Sequence, residues 1–484
     1  MMTRRSACFA RRATMPDSSG VDVRVASDGI VPEVAPLIAF IASELAAGRS
    51  MEGTLDRAAH AYPQLGRYFA SWSCADFALD REHLFPAPAT SASVRMWNRD
   101  TRDVLAFDVD EADWHDLHQL LARAGLGASS LPAIERAAGT LRDAVAPLVA
   151  GGILTEDAPA ARMDLAHPGI YRLQHASVLF RSRTTGVLVD PHLHSPCRPG
   201  AIDRDITRAQ LAGRVDAVAI SHSHHDHWNL ATLLMFPRDL PIIVPAVPRG
   251  SIMCPDFADI LRRFGFTRVI VQNWFDPAIA IGDLEVHALP FYGEQQLRDE
   301  APRDPALYSW GNTYAVTTED YTAWCLVDTG VDARGSMAEI APRVVEQVGA
   351  IDCVLGNVST CTPWSPLEIK QGVHHWLTLT ADQVARFASF RDHSLTLGPD
   401  GVAQICALVG ANVFLPYANW WGPLGGRGMV RADATGDCEA RHLELLQHHL
   451  AQACARTRIA PWCIGDRFAY RGSRGFELHP LALA

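Results

Sequence analysis

The chain has 484 residues, 48% of them hydrophobic, with a formal net charge of -11 and a mean hydropathy of +0.01. That length exceeds one ordinary core and predicts two folded units, one of about 150 residues and one near 300. The acidic surplus argues against binding a phosphate backbone, and no apolar run is long enough to span a bilayer, so neither nucleic acid nor membrane is an expected partner.

The first twenty residues are Arg-rich and then turn-rich, which predicts disorder, with Met15 a second candidate start. Residues 32–48 carry apolar side chains at helical spacing closed by a glycine, and a second amphipathic stretch covers 58–70. Residues 92–107 alternate like a strand pair around the turn Asn98-Arg99-Asp100. Ser130 and Pro132 open a helix that the pair Gly151-Gly152 ends. Residues 155–164 are polar and contain Ala and Pro, and read as the linker between an α+β unit over 21–165 and a larger domain over 166–484.

In the larger domain, residues 170–181 and 187–190 read as strands joined by the turn Thr184-Thr185-Gly186, and 215–220 as a buried β-branched strand. Further strands are expected at 242–244, 269–271, 284–289, 314–317, 323–328, 353–355 and 412–417. Helices fill the gaps, most clearly at 380–393 and 437–456. Two runs of strands interleaved with helices suit two sheets between helical layers. Eleven cysteines with no CxxC pair and no secretory apolar segment predict reduced thiols and a cytoplasmic protein. Cys74, Cys325 and Cys353 read as small core hydrophobes.

The strand at 215–220 runs directly into Ser221-His222-Ser223-His224-His225-Asp226-His227-Trp228, which places imidazoles and a carboxylate on one short loop. His222 and His224, two residues apart, suit one metal ion, and the turn through Asp226 and His227 directs those side chains toward a second. His225 is expected beside the site or exposed. Asp328 ends the apolar strand Ala323-Trp324-Cys325-Leu326-Val327 just before a glycine, where a buried carboxylate needs a counter-charge.

The HxHxDH loop resembles the metallo-β-lactamase superfamily. The segments GIYRLQHASVLF (169–180), GVLVDP with Asp190, and LVDTG with Asp328 recur in that order in the superfamily. The resemblance implies a metallo-β-lactamase αββα sandwich preceded by a smaller α+β domain, with Asp328 bridging two metals. Most hydrolases of the superfamily place a histidine after the strand matching 284–290. Here the sequence reads Phe291-Tyr292-Gly293-Glu294, so Glu294 is the candidate ligand and His287, in mid-strand, its competitor. A final histidine is normally found after the strand matching 413–416, where this chain has Tyr417-Ala418-Asn419. Asn419 is the candidate there, with His374, His375 and His393 as substitutes.

Replacing imidazole by carboxylate hardens the site and favours iron or manganese over zinc. A glutamate here resembles the diiron oxygenase branch, namely the carrier-protein-dependent amino-acid β-hydroxylases of the chloramphenicol type. Their pattern implies one iron on His222, His224 and Glu294, the other on Asp226 and His227, with Asp328 bridging and Glu294 and Asp328 as the catalytic carboxylates. It further implies O2, two external electrons from a ferredoxin-like donor, a substrate on a carrier protein, and an N-terminal domain used for homodimerisation and docking. Two rival readings share the ligands: a dinuclear hydrolase of amides, esters or phosphodiesters holding zinc or manganese, and a metal-free binding module. The glycine loop 422–428 with Arg427 and Arg431 suits a substrate channel, and Trp364, Trp376, Trp420 and Trp421 suit an aromatic pocket, against plain loop and core roles.

Overall fold

The computed structural model describes residues 12–15, 19–25, 37–155, 165–193, 208–360, 378–383, 394–418 and 438–480, with short gaps at 38–39, 42, 45–46, 74–75, 80, 99, 127–128, 225, 296, 381 and 473–474. Two mixed sheets form its larger part. The first runs in the order Val269–Gln272, Ile242–Pro245, Ala217–Ala219, Gly186–Val189, Val178–Arg181, Gly169–Arg172, Arg467–Tyr470, Phe476–His479. The second runs Ile279–Ile281, Leu284–Pro290, Asn312–Thr317, Thr322–Val327, Cys353–Gly356, Val413–Pro416, Arg458–Ile459.

The period of two along each strand sorts side chains between layers. Val178, Phe180, Val187 and Val189 of the first sheet meet Val286, Ala288, Val316, Ala323 and Cys325 of the second in one core between the sheets. The alternate residues Leu179 and Leu188 face outward into a core shared with Leu230, Phe236, Phe257 and Leu261. On the other side, Trp324, Leu326 and Phe414 pack against the helices Met337–Val348, Gly398–Val409 and Cys438–Gln452. These layers make the expected αββα sandwich. Strands buried on both faces explain why so many segments read as continuous apolar runs rather than alternating ones.

The N-terminal part is smaller and α+β. Ser19–Val25, Ser91–Asn98 and Val104–Asp110 form a three-stranded antiparallel sheet. Order begins earlier than the composition of the first twenty residues suggests: Arg12–Ala13 pairs with Ser129–Ser130, and Met15 is buried. The stretch expected to be helical at 58–70 is instead a helix over Met51–Ala61, a 3-10 turn and the start of a strand. Ser50 accepts the Gly53 amide and sets that earlier start. The helix foreseen from Ser130 to the glycine pair divides into Leu131–Ala137 and Arg142–Ala150.

A helix not foreseen, Trp114–Ala124, joins the two parts. Its Trp114 ring stacks on Phe264 at 4.4 Å, and His118 reaches Phe264 O and Phe236 O, each at 2.9 Å. Residues 170–181, read as one strand, are two, separated by the turn Leu173–Ser177. Most of the helix expected at 380–393 and of the linker at 155–164 lies outside the described residues.

Candidate metal centre

The ligand loop hangs from the C-terminal end of Ala217–Ala219 and is fixed from both sides. Asn312 N–H donates to Ser221 O at 2.8 Å, and Tyr314 O–H donates to Ile220 O at 2.8 Å. His227 and Trp228 amides both return to His224 O, at 2.9 and 2.7 Å, which closes the turn. Asn229 then caps the short helix Leu230–Leu233 by accepting the Thr232 amide, and the loop ends there.

Asp190 organises the loop from the neighbouring strand. Parallel pairing aligns Val189 with Ala219, so the next residue of each strand lies side by side at the same sheet end. Asp190 accepts from Ser221 N at 2.7 Å, from Ser221 Oγ at 2.6 Å and from His227 Nδ1 at 2.9 Å. Ser221 Oγ lies 2.9 Å from His222 Nδ1 and receives its proton. Both imidazoles therefore keep a proton on Nδ1 and turn Nε2 inward, the orientation that metal-binding histidines require.

Glu294 arrives from the second sheet. Its Oε2 lies 3.0 Å from His222 Nε2 and 3.1 Å from His224 Nδ1. The backbone there is left-handed, with φ of 101° at Gly293 and 51° at Glu294. Gly293 is required by space as well, because a Cβ would sit 2.3 Å from Gly330 N. Asp328 projects its Oδ2 to 2.9 Å from His227 Nε2. His175, from the turn between the first two strands of the domain, brings Nε2 to 2.7 Å from Asp226 Oδ2.

The donor atoms fall into overlapping clusters: His222, His224 and Glu294; His222, His227 and Asp328; His175, Asp226 and His227. His222 Nε2, His227 Nε2 and Glu294 Oε2 are buried and make no hydrogen bond despite being about 3 Å from one another's neighbours. Buried imidazole nitrogens and carboxylate oxygens converging in this way fit divalent cations, which would take up their lone pairs in place of protons. Burial, then the adjacent His227, pushes the His222 imidazole below its ordinary value. Burial opposes charging His227 too, but Asp226, with Asp190 and Asp328, outweighs it and holds that imidazole well above its ordinary value. Burial likewise disfavours the Glu294 anion, yet His224 and His222 prevail and its carboxyl titrates well below the usual carboxylate range.

Residues 169–312 match the model of the β-lactamase superfamily domain. That segment is about three tenths of the chain. The matched segment includes the loop from His222 to His227 and Glu294, while Asp328 lies just beyond it. Over 139 residues the chain is 36% identical to the 4-amino-L-phenylalanyl-(CmlP peptidyl carrier protein) 3-hydroxylase of Streptomyces venezuelae; the alignment spans 28% of this chain and 26% of that protein. The solved structure of CmlA, described as a diiron β-hydroxylase from the same species, superposes with a TM-score of 0.60 at 18% identity, covering 98% of this chain and 100% of that one. A single-site variant of CmlA gives 0.59 at 17% identity, over 93% and 98%. The fold is thus shared along the whole chain, N-terminal part included, whereas the curated relative is matched in sequence over about a quarter of its length.

Of the residues singled out in the sequence, the structure brings His222, His224, Asp226, His227, Glu294 and Asp328 together. His287 stays apart: it is in mid-strand, its Nε2 is 3.9 Å from Glu285, and burial lowers its basicity. Asn419, His225, His374, His375, His393, the glycine loop with Arg427 and Arg431, and Trp364, Trp376, Trp420 and Trp421 lie outside the described residues, as does Cys74. Cys325 and Cys353 are buried as expected, and no described helix is long and apolar enough to cross a membrane. Sequence reasoning missed His175 and Asn357. The first stands in the segment LQHASVLF (173–180), and the available signal is a histidine in a strand-connecting turn of a domain that gathers its ligands beside strand ends.

Proposed function

We propose that the chain is a non-haem diiron oxygenase that hydroxylates an amino acid or a related substrate carried on a partner protein. His222, His224 and Glu294 would hold one ion, and Asp226 and His227 the other, with Asp328 available to both. The observation that carries this reading is Glu294 Oε2 within hydrogen-bond distance of both His222 and His224. A carboxylate in that place makes the donor set harder and more anionic, which suits iron over zinc. The likeness in fold to CmlA over the whole chain and the sequence match to a carrier-protein-dependent hydroxylase support it.

When bound, a reduced iron pair supplies the activation of O2. The chain's own residues do the rest. Asp190 and Ser221 hold the His222 and His227 rings by their Nδ1 protons, so neither ligand reorients as the charge of the ions changes. Phe291, stacked on His222 at 4.9 Å, and the buried walls around it exclude water from the site. Electrons come from an external donor of the ferredoxin type, and the homologous N-terminal part serves docking and homodimerisation in a cytoplasmic, natural-product pathway.

Elemental analysis and Mössbauer spectroscopy of protein made with iron and zinc both available test the reading. The expected result is iron at about two per chain and O2 uptake by the reduced protein. Zinc at the centre with no O2 uptake overturns it in favour of a hydrolase, and a protein without metal overturns both.

A further inference from the structure

We infer that His175 is a fourth imidazole ligand of the centre, binding the ion held by Asp226 and His227. The inference rests on the dinuclear reading above and completes it. In the clusters that hold His222, His224, His227, Glu294 and Asp328, each ligand nitrogen sits near a carboxylate oxygen at 3.0, 3.1 or 2.9 Å. Such spacings are what ligands about 2.0 to 2.2 Å from a common cation show toward one another. His175 repeats the relationship: its Nε2 lies 2.7 Å from Asp226 Oδ2, and the same Asp226 oxygen is 3.7 Å from His227 Nε2. The three side chains offer ligand atoms all within 4.8 Å of one another.

Donor numbers point the same way. Setting aside the shared Asp328, the reading above gives one ion His222, His224 and Glu294, and gives the other, among the described residues, Asp226 and His227. His175 makes the two sets equal, and adds a neutral ligand where carboxylates from three strand ends already crowd.

The backbone is built to present this ring. His175 is left-handed, with φ of 48°, inside a turn closed by Leu173 N to Ser177 O at 2.9 Å. Ser177 Oγ bolts the turn to the ligand region by donating to Asp190 O at 2.8 Å and accepting from His192 N at 2.8 Å. Of the described non-glycine residues with positive φ, Asp190 and Glu294 are at the centre and Val327 precedes Asp328, while Arg102, Phe275, Ala418 and Cys454 complete the set. His175 shares this conformation with the segments that deliver site residues, as expected where strain is held in place by a functional demand. Its ring also stands edge-on to His227 at 5.6 Å.

A rival role is orientation: Nε2–H donating to Asp226 without touching the ion. Full-length protein loaded with Fe(II) separates the two through iron per chain and Mössbauer spectra of wild type, His175→Ala and His175→Gln. A ligand predicts that wild type holds about two irons, that both variants fall toward about one with loss of a single spectral component, and that added imidazole restores the alanine variant. Two irons with an unchanged spectrum in His175→Ala, or a wild-type spectrum regained by glutamine, overturns the assignment. Wild type with fewer than two irons sinks the dinuclear reading and this inference with it, so the failures are distinct. Independently of any variant, pulsed EPR of 15N-histidine-labelled wild type should count four coupled imidazoles, His175, His222, His224 and His227; a count without His175 also overturns the proposal.

Discussion

Asn357 Nδ2 donates to Asp328 Oδ1 at 2.8 Å, while the other oxygen of that carboxylate lies 2.9 Å from His227 Nε2. The amide thus sets the rotation of the one carboxylate placed between the two halves of the centre. Replacing it as Asn357→Leu keeps the volume and removes the donor. Metal affinity should fall by about 10 to 100-fold with little change in unfolding midpoint, measured by competition with a chromophoric chelator.

Gly293 precedes Glu294 at φ of 101°, and a Cβ there would meet Gly330 N at 2.3 Å, Gly330 Cα at 2.7 Å and Leu395 O at 2.9 Å. Backbone atoms cannot yield cheaply. Gly293→Ala should destabilise the fold by about 1 to 3 kcal/mol in chemical denaturation and lower the metal content, as expected of a shifted Glu294 ligand. Gly410, left-handed at a helix end with open space around it, is the matched control: Gly410→Ala should cost about 1 kcal/mol and leave metal content unchanged.

Arg334 clamps the segment that carries Glu294. Its Nη2 donates to Asp332 Oδ2 at 2.7 Å and to Phe291 O at 3.2 Å, and Asp332 Oδ2 in turn accepts Gly293 N–H at 3.0 Å. The guanidinium also lies 4.2 Å from the Tyr308 ring centre and 5.1 Å from that of Trp274. Arg334→Met leaves the Asp332 carboxylate buried without its partner. The expected cost is about 3 to 5 kcal/mol, and Arg334→Lys should recover only part of it, since an ammonium cannot serve both acceptors as the planar group does.

Metal loading should depend on pH through His227. In the metal-free chain this imidazole is held well above 6.5, so its protonation stabilises that state fully below 6.5 and the benefit is lost as pH rises through the raised folded value. An incoming cation must displace that proton. Affinity should therefore rise with pH by about tenfold per unit while one proton is released, which calorimetry in buffers of different ionisation enthalpy can count.

His118 gives the opposite sign at the contact between the two parts of the chain. Burial, opposed by the Phe236 and Phe264 carbonyls, lowers its value below 6.5. Its contribution to stability is full above 6.5 and is lost as pH falls from there toward the lowered folded value. Unfolding midpoints should drop below pH 6.5, and His118→Gln, which does not titrate, should flatten that part of the profile.

Much of the centre was legible in the chain because metal chemistry concentrates unusual residues locally. His222, His224, Asp226 and His227 share one loop, and Asp328 announces itself as a carboxylate ending an apolar strand before a glycine. Glu294 was legible by contrast, as a carboxylate where the resemblance calls for imidazole. The strands were legible from their apolar runs, since both faces of each sheet are covered. Amphipathic spacing did less well in the N-terminal part, where caps and turns rather than periodicity set the boundaries of Met51–Ala61 and divide Leu131–Ala137 from Arg142–Ala150.

Other partners could be decided only by the fold. His175 is 51 residues from Asp226, and Asn357 is 29 from Asp328. Asp190 reaches Ser221 only because parallel register sets Val189 beside Ala219. The strands at residues 12–13 and 19–25 likewise depend on pairing with segments about a hundred residues away in sequence, which local composition cannot register. The chain alone determines which chemistry is present, because ligand type and local spacing are properties of covalent sequence. Which imidazole faces which carboxylate is decided by strand register and sheet packing, which exist only once the two sheets have closed on each other.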